Sequence, residues 1–243
     1  MKLLIDVGNS RLKWQLRRQG SVVARGLGEL AGADPLTDFP PAAPVKAIAI
    51  SAVTADEVLA PLLRHLERRF SVEPRCYWAE AGRGGLRNAY EDPRRMGADR
   101  WHGMYGAWLR HRSGFVVVDA GSAVTLDYVD AGGQHLGGFI LPGQGMMLRS
   151  LRRDVARVVF KPGEVLDDTP GKSTSECVNH GLAWLLAGLV ERIQRDAESL
   201  GLTDVIVTGG DAPRWLALGL RARHCADLVF DGLAAIDAEE QGA

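Results

Sequence analysis

Apolar residues cluster in short bursts: Leu3-Leu4-Ile5, Val45 to Ile50, Phe115-Val116-Val117-Val118 and Val205-Ile206-Val207. Runs this short, rich in β-branched residues and closed by Asp, Ser, Thr or Gly, predict buried strands. Leu12 to Leu16 then alternates apolar and polar, Gly20 turns the chain, and Val22-Val23-Ala24 returns. Val124 to Val129 alternates in the same way, Gly132-Gly133 turns, and Leu136 to Ile140 returns. Each half thus opens with a strand, a glycine turn and a meander. Val58, Leu59, Leu62, Leu63, Leu66 and Phe70 keep helical spacing and predict a helix over 58–70. A second helix is expected from about Ala98 to Arg112, with Trp101, Met104 or Tyr105, and Trp108 on a packed face. Ser173-Thr174-Ser175-Glu176 is a capping box; it opens a third helix carrying Val178, Leu182, Leu185, Leu189 and Ile193, and Gly201 closes it. Pro40, Pro41 and Pro44 mark one loop, and the polar stretch 82–97 reads as another, exposed one. The pattern is that of an α/β protein with a mixed sheet in each half, divided as 1–112 and 113–243.

The two opening strands end alike. Leu3-Leu4-Ile5 runs into Asp6-Val7-Gly8-Asn9-Ser10, and Val116-Val117-Val118 into Asp119-Ala120-Gly121-Ser122-Ala123. The repeat lies close to half of the 243-residue chain away, as a duplication would place it. A strand-end aspartate can hold a hard cation or its waters, and glycine lets backbone N–H groups approach a phosphate. Two such turns facing one another would clamp a nucleoside triphosphate and its metal. A single strand-end aspartate is an ordinary turn residue; two in matched contexts favour chemistry. Lys13, on the outgoing strand, could return its ammonium to the phosphates.

Composition narrows the classes. Hydrophobic residues make up 46% and charged residues 24%, the mix of a water-soluble globular chain. A formal net charge of −1 gives no whole-chain attraction to nucleic acid or to an anionic membrane. Three cysteines, Cys76, Cys177 and Cys225, lack a C-x-x-C pair and are odd in number, which argues against both a disulfide framework and a cysteine metal site. The apolar start reaches a charge at Asp6, too soon for a secretory signal, and no stretch is long enough to span a membrane. A reduced, cytoplasmic setting is expected.

Other motifs are weaker alone. Gly97-Ala98-Asp99-Arg100 stands at a predicted helix start, where Asp99 is either a first-turn acid facing the helix dipole or a general base, with Arg100 binding an anion. Thr208-Gly209-Gly210-Asp211 follows a buried strand and is either a tight turn or a nucleotide wrap. Gly171-Lys172-Ser173 ends like a phosphate-binding loop, but Leu166 occupies the place of the required glycine. Gly26-Leu27-Gly28-Glu29-Leu30-Ala31 matches a loose dinucleotide fingerprint in the wrong context. His102 reads as a packed or surface residue, and the histidines show no metal-ligand spacing.

Taken in order, Asp6 through Lys13, Asn88-Ala89-Tyr90 with Gly97-Ala98-Asp99-Arg100-Trp101, Asp119 to Ser122, Gly137 to Gly143 and Thr174 to Gly181 resemble the type III pantothenate kinases, within the superfamily of acetate and sugar kinases, heat-shock chaperones and actin. The resemblance spans nearly the whole chain. It implies two duplicated ribonuclease-H-like domains of the actin-like ATPase type, with the active site in the interdomain cleft. It implies ATP-dependent phosphorylation of pantothenate, the opening step of coenzyme A synthesis. By the same resemblance Asp6, Val7, Gly8, Asn9, Ser10, Arg11, Leu12 and Lys13 bind ATP, with Asp6 on Mg²⁺ and Ser122 also touching the nucleotide. Asp99 is the base; Tyr90, Gly97, Ala98, Asp99, Arg100 and Thr174 contact pantothenate; Asp119 holds K⁺ or NH₄⁺. A homodimer is implied. The rival expectations are a kinase of the superfamily for another small hydroxylated acid, and a regulatory nucleotide-binding protein of the same fold with little turnover. Ser122 where threonine is frequent, and Ala89 where proline is frequent, leave every charged group in place.

Overall fold

The computed structural model describes residues 1–9, 11–30, 32, 34–41, 43–155, 158–163 and 166–242. The chain runs β1 (Lys2–Val7), β2 (Arg11–Arg18), β3 (Ser21–Glu29), β4 (Ala47–Ala52), α1 (Asp56–Phe70), β5 (Pro74–Tyr77), the short β6 (Gly82–Arg83) and β7 (Leu86–Arg87), and α2 (Ala98–Arg110). It continues with β8 (Phe115–Ala120), β9 (Ala123–Val129), β10 (His135–Pro142), α3 (Gln144–Asp154), α4 (Thr174–Ser199), β11 (Asp204–Thr208), α5 (Ala212–Ala217), β12 (Arg223–His224) and α6 (Leu228–Gly242).

Two five-stranded sheets have the same plan. One is ordered β3-β2-β1-β4-β5 and the other β10-β9-β8-β11-β12. In each, the first three strands form an antiparallel meander, and the next two add in parallel to the other side of the first strand. The parallel additions need a crossover. In the second sheet α3 and α4 fill the link between β10 and β11. In the first, the link from β3 to β4 has no helix among its described residues, and Leu36 and Phe39 bury themselves in its place.

Alternation sorts the first sheet's faces. Leu3, Ile5 and Val7 of β1 and Leu12, Trp14 and Leu16 of β2 face a core closed by Leu59, Leu62 and Leu66 of α1. Each leucine so buried contributes about 1.5–3 kcal/mol. Leu4 and Ala49 face the other way, onto Phe230 and Leu233 of α6. In the second sheet, Val116, Val118 and Leu126 pack under Leu186, Val190 and Ile193 of α4 and Trp215 of α5.

The chain forms two compact units. Unit 1 is Met1–Gly84, Asn88–Arg110 and Asp227–Ala243; unit 2 is Gly85–Arg87 and His111–Ala226. The expected division kept 113–243 together, whereas α6 belongs with unit 1. There α6 meets the sheet and also α2, and glycines permit the close crossing. A Cβ on Gly232 would lie 1.9 Å from the His102 carbonyl oxygen, and one on Gly106 2.5 Å from that of Leu228. The stretch 82–97 is not wholly exposed: Leu86 and Met96 are buried and anchor it. Helix α2 stops at Arg110, two residues short of the expected Arg112. Among the described residues no helix is long and apolar enough to cross a membrane.

Candidate functional site

In unit 1, β1 delivers Asp6 to the end of the strand, where the Gly8 N–H donates to the Arg11 carbonyl at 2.9 Å and closes the turn. The antiparallel return sets Lys13 directly opposite Asp6, a pairing that brings Cβ atoms to about 5 Å. The parallel neighbour β4 sets Ser51 in register with Asp6 on the other side. Val7 and Leu12 are core residues, Gly8 is half-buried, and Asn9, Arg11 and Lys13 are exposed. Ser10 lies outside the described residues.

The start of α2 comes to the same sheet end. The Val53 N–H, just past β4, donates to the Val7 carbonyl at 3.0 Å. Gly97 abuts Val53: a Cβ there would lie 3.4 Å from Val53 Cγ1 and 2.6 Å from Asp99 Oδ1. The Gly97 carbonyl accepts from the Trp101 N–H at 3.2 Å, so Ala98 and Asp99 stand in the first turn, at the positive end of the helix dipole. Asp99 Oδ1 also accepts the Arg100 N–H at 2.7 Å. Arg100 is itself buried. Its Nη1 donates to the Tyr90 hydroxyl at 2.7 Å, and its guanidinium carbon lies 5.7 Å from the centre of that ring. Tyr90 is held in turn by Asn88, whose Oδ1 accepts the Tyr90 N–H at 3.0 Å while its Nδ2 donates to the Glu80 carbonyl at 3.1 Å. Asp6, Lys13, Gly97, Ala98, Asp99, Arg100 and Tyr90 thus all belong to unit 1.

In unit 2, Asp119 occupies the place in β8 that Asp6 has in β1. Thr125 of β9 and Thr208 of β11 are its register partners. Three turns converge there. The Gly121 N–H donates to the Ala123 carbonyl at 3.1 Å, that of Gly143 to Ser122 at 3.1 Å, and that of Asp211 to Ala120 at 2.9 Å. Ser122 is exposed at the tip. Gly209 has a φ of +91°, and a Cβ there would sit 2.4 Å from the Ala120 carbonyl oxygen and 2.5 Å from Asp119 Oδ1. Only glycine fits so close to the aspartate.

Thr174 is the exposed first residue of α4. Ser173 Oγ accepts the Glu176 N–H at 3.2 Å, and Glu176 Oε2 accepts that of Lys172 at 2.7 Å, which completes the expected cap one residue earlier than usual. Lys172 and Ser173 therefore form a helix cap. Gly26 and Gly28 lie inside β3. The described contacts do not bring Thr174 to the Asp119 turn.

Two features escaped the sequence. Ser51 was visible only as a strand end. Asp237 of α6, fully buried, accepts from Arg75 Nη2 and the Tyr77 hydroxyl, each at 2.8 Å, and pairs with Lys2. Burial first, then Asp237, pushes the Tyr77 hydroxyl up to about 12. No spacing connects positions 2, 75, 77 and 237.

A divalent ion suits the Asp6 turn only in one form. Among the described residues no group of three or more His, Cys, Asp or Glu side chains is placed to hold a metal ion. Carboxylates as sparse as these suit Mg²⁺ carried on phosphate oxygens and water, not an all-protein cage.

Comparison with known proteins accounts for this duplicated arrangement. Residues 2–196 match the family model of the type III pantothenate kinases. A type III pantothenate kinase of Marinobacter nauticus is 51% identical over 237 residues, covering 97% of this chain and 98% of its own length. Among solved structures, a Campylobacter jejuni protein assigned to the Baf family of transcriptional activators superposes with a TM-score of 0.61 at 22% identity, covering 99% of this chain and 100% of its own. A Sinorhizobium meliloti protein assigned as a 2-dehydro-3-deoxygalactonokinase also reaches 0.61, at 15% identity, covering 99% of both chains. The two structures share the fold, and the family match with the close relative settles descent: the chain belongs to the type III pantothenate kinases.

Proposed function

We propose that the protein transfers the terminal phosphoryl group of ATP to the hydroxyl of pantothenate, the first step towards coenzyme A. The observation that carries this reading is the pair of strand-end aspartate turns, Asp6 and Asp119, at equivalent places in two sheets of one plan. Phosphoryl transfer asks a protein mainly for positioning and charge neutralisation. In this reading the Asp6 turn, with the Gly8 backbone and Lys13, takes the phosphates, and Ser122 touches the nucleotide. Mg²⁺, when bound with ATP near Asp6, neutralises phosphate charge. Asp119 holds a monovalent cation, K⁺ or NH₄⁺. Asp99 accepts the proton of the attacking hydroxyl, and its place beside the Asp6 strand end supports the role. Arg100, fixed by Tyr90, takes the pantothenate carboxylate, with Gly97, Ala98 and Thr174 completing the contacts.

The same reading makes the protein a cytoplasmic homodimer. Exposed Phe139, Ile140 and Trp184 of unit 2 offer apolar surface for a second copy.

A coupled assay of ADP release tests the function. Turnover is expected only with ATP, Mg²⁺ and pantothenate together, and faster in K⁺ than in Na⁺. Absence of pantothenate-dependent turnover would overturn the function, and equal rates in the two salts would overturn the monovalent site.

A further inference from the structure

Ser51 is completely buried, and its hydroxyl has no hydrogen-bond partner among the described residues. Buried hydroxyls are nearly always paired, so an orphan needs a reason. The sequence of β4 sharpens the point. Ala47, Ala49 and Ser51 alternate with Ile48 and Ile50 and so share the sheet face turned away from α1. Two of the three positions make do with a methyl group. The hydroxyl comes in at the third, where the ladder reaches the site.

Its row is informative. Lys13, Asp6, Ser51 and Tyr77 are successive register partners across β2, β1, β4 and β5. Tyr77 is engaged with Asp237. Asp6 is the neighbour on the other side, about 5 Å away across parallel strands. The second sheet repeats the device: β11, the counterpart of β4, places buried Thr208 in register with Asp119. In both units a buried hydroxyl residue thus flanks the strand-end aspartate.

We propose that Ser51 is a positioning residue for the Asp6 end of the nucleotide site: when Mg²⁺·ATP binds, its buried hydroxyl donates to the neighbouring Asp6 carboxylate, and so orders that carboxylate for the metal–phosphate group. The proposal rests on the ATP-dependent reading above. It also explains why the fold keeps a polar atom that it does not itself satisfy.

The test compares Ser51→Ala and Ser51→Thr with the parent. The readouts are thermal melting without ligand, and calorimetric titration with Mg²⁺·ATP and with ATP in excess chelator. Ser51→Ala is expected to melt no lower than the parent, since it removes an unsatisfied group. It is expected to bind Mg²⁺·ATP roughly ten- to a hundredfold more weakly, the loss of one hydrogen bond to a charged group, while affinity for metal-free ATP changes less than about twofold. Ser51→Thr keeps the hydroxyl and should retain most of the parent's Mg²⁺·ATP affinity. Parent-like binding of Mg²⁺·ATP by Ser51→Ala would overturn the proposal. So would a lowered melting temperature with both affinities falling together, or a threonine variant as impaired as the alanine one. If the parent itself fails to bind Mg²⁺·ATP, the kinase reading falls and this proposal with it; if the parent binds normally, only the role of Ser51 is at stake.

Discussion

Asp99 and Arg100 are adjacent in sequence and are held in opposite ways. Arg100 is buried and fixed by Tyr90, whereas Asp99 is half-buried in the first turn of α2 with an oxygen on the Arg100 N–H. A fixed cation beside a more accessible carboxylate suits one group that binds an anion and one that exchanges a proton. Asp99→Asn preserves the shape and removes the basicity. Turnover with pantothenate should fall roughly a hundredfold or more, with Mg²⁺·ATP affinity unchanged in the same calorimeter; near-parent turnover would remove Asp99 from the mechanism. At this scale the sequence was informative where a motif is contiguous. Asp6 to Lys13 and Gly97 to Arg100 could be read because a strand end and a helix start each place neighbouring residues predictably. Ser51 could not be singled out. Its position beside Asp6 is a matter of sheet register between segments far apart in the chain, and its missing partner is a fact of three dimensions.

Elements followed the same rule. The helix over 58–70, the capped helix from Ser173 and the paired meanders were legible because period and caps are local signals, and the structure contains all of them. The face expected for the capped helix is corrected: Leu182 and Ile193 are buried together with Leu186 and Val190, while Leu185 is exposed. Strand β5 was missed: its four residues, Pro-Arg-Cys-Tyr, carry no alternation and owe their place to β4. Helix α3 was missed although Met147, Leu148 and Leu151 keep helical spacing: the stripe is short and only half-buried. The Thr208-Gly209-Gly210-Asp211 turn was recognised, but whether it is merely tight or also functional was undecided. The structure shows how tight it is. Gly209→Ala would force a Cβ into the Ala120 carbonyl and the Asp119 carboxylate at positive φ. A loss of about 1–3 kcal/mol is expected from backbone strain alone, measured by urea unfolding. Displacement of Asp119 should also blunt the rate response to K⁺ more than the response to Mg²⁺; an unaltered K⁺ response would detach Asp119 from the monovalent cation.

For the whole molecule, the duplication was legible because both copies keep the apolar run and the Asp-x-Gly ending. The allotment of α6 to unit 1 was not, since the helix is separated from its partners by all of β8 to β12. Where α6 crosses α2 lies His102, completely buried, with neither ring nitrogen paired among the described residues. Burial pushes its imidazole down to about 3 from the ordinary 6.5. Between those values the unfolded chain holds a proton that the folded protein lacks, so stability falls as the pH is lowered through that window, by up to about 1.4 kcal/mol per pH unit. Melting temperatures of the parent and of His102→Leu, followed from about pH 7 to 4.5, should diverge, with the variant losing less; parallel curves would show that His102 does not drive the loss.

The glycine crossing of α2 and α6 also orders events during synthesis. Unit 2 is almost continuous in sequence and emerges from the ribosome with nearly all of its parts. Unit 1 begins first yet must wait for α6, made only after unit 2 is complete, before Leu4 and Ala49 are covered. The half that carries Asp6 and Asp99 is thus finished last, against the usual order of N-terminal domain first. A nascent chain cut off before Asp227 would leave the ribosome with one closed unit and one open apolar sheet, a form for quality-control proteases to recognise.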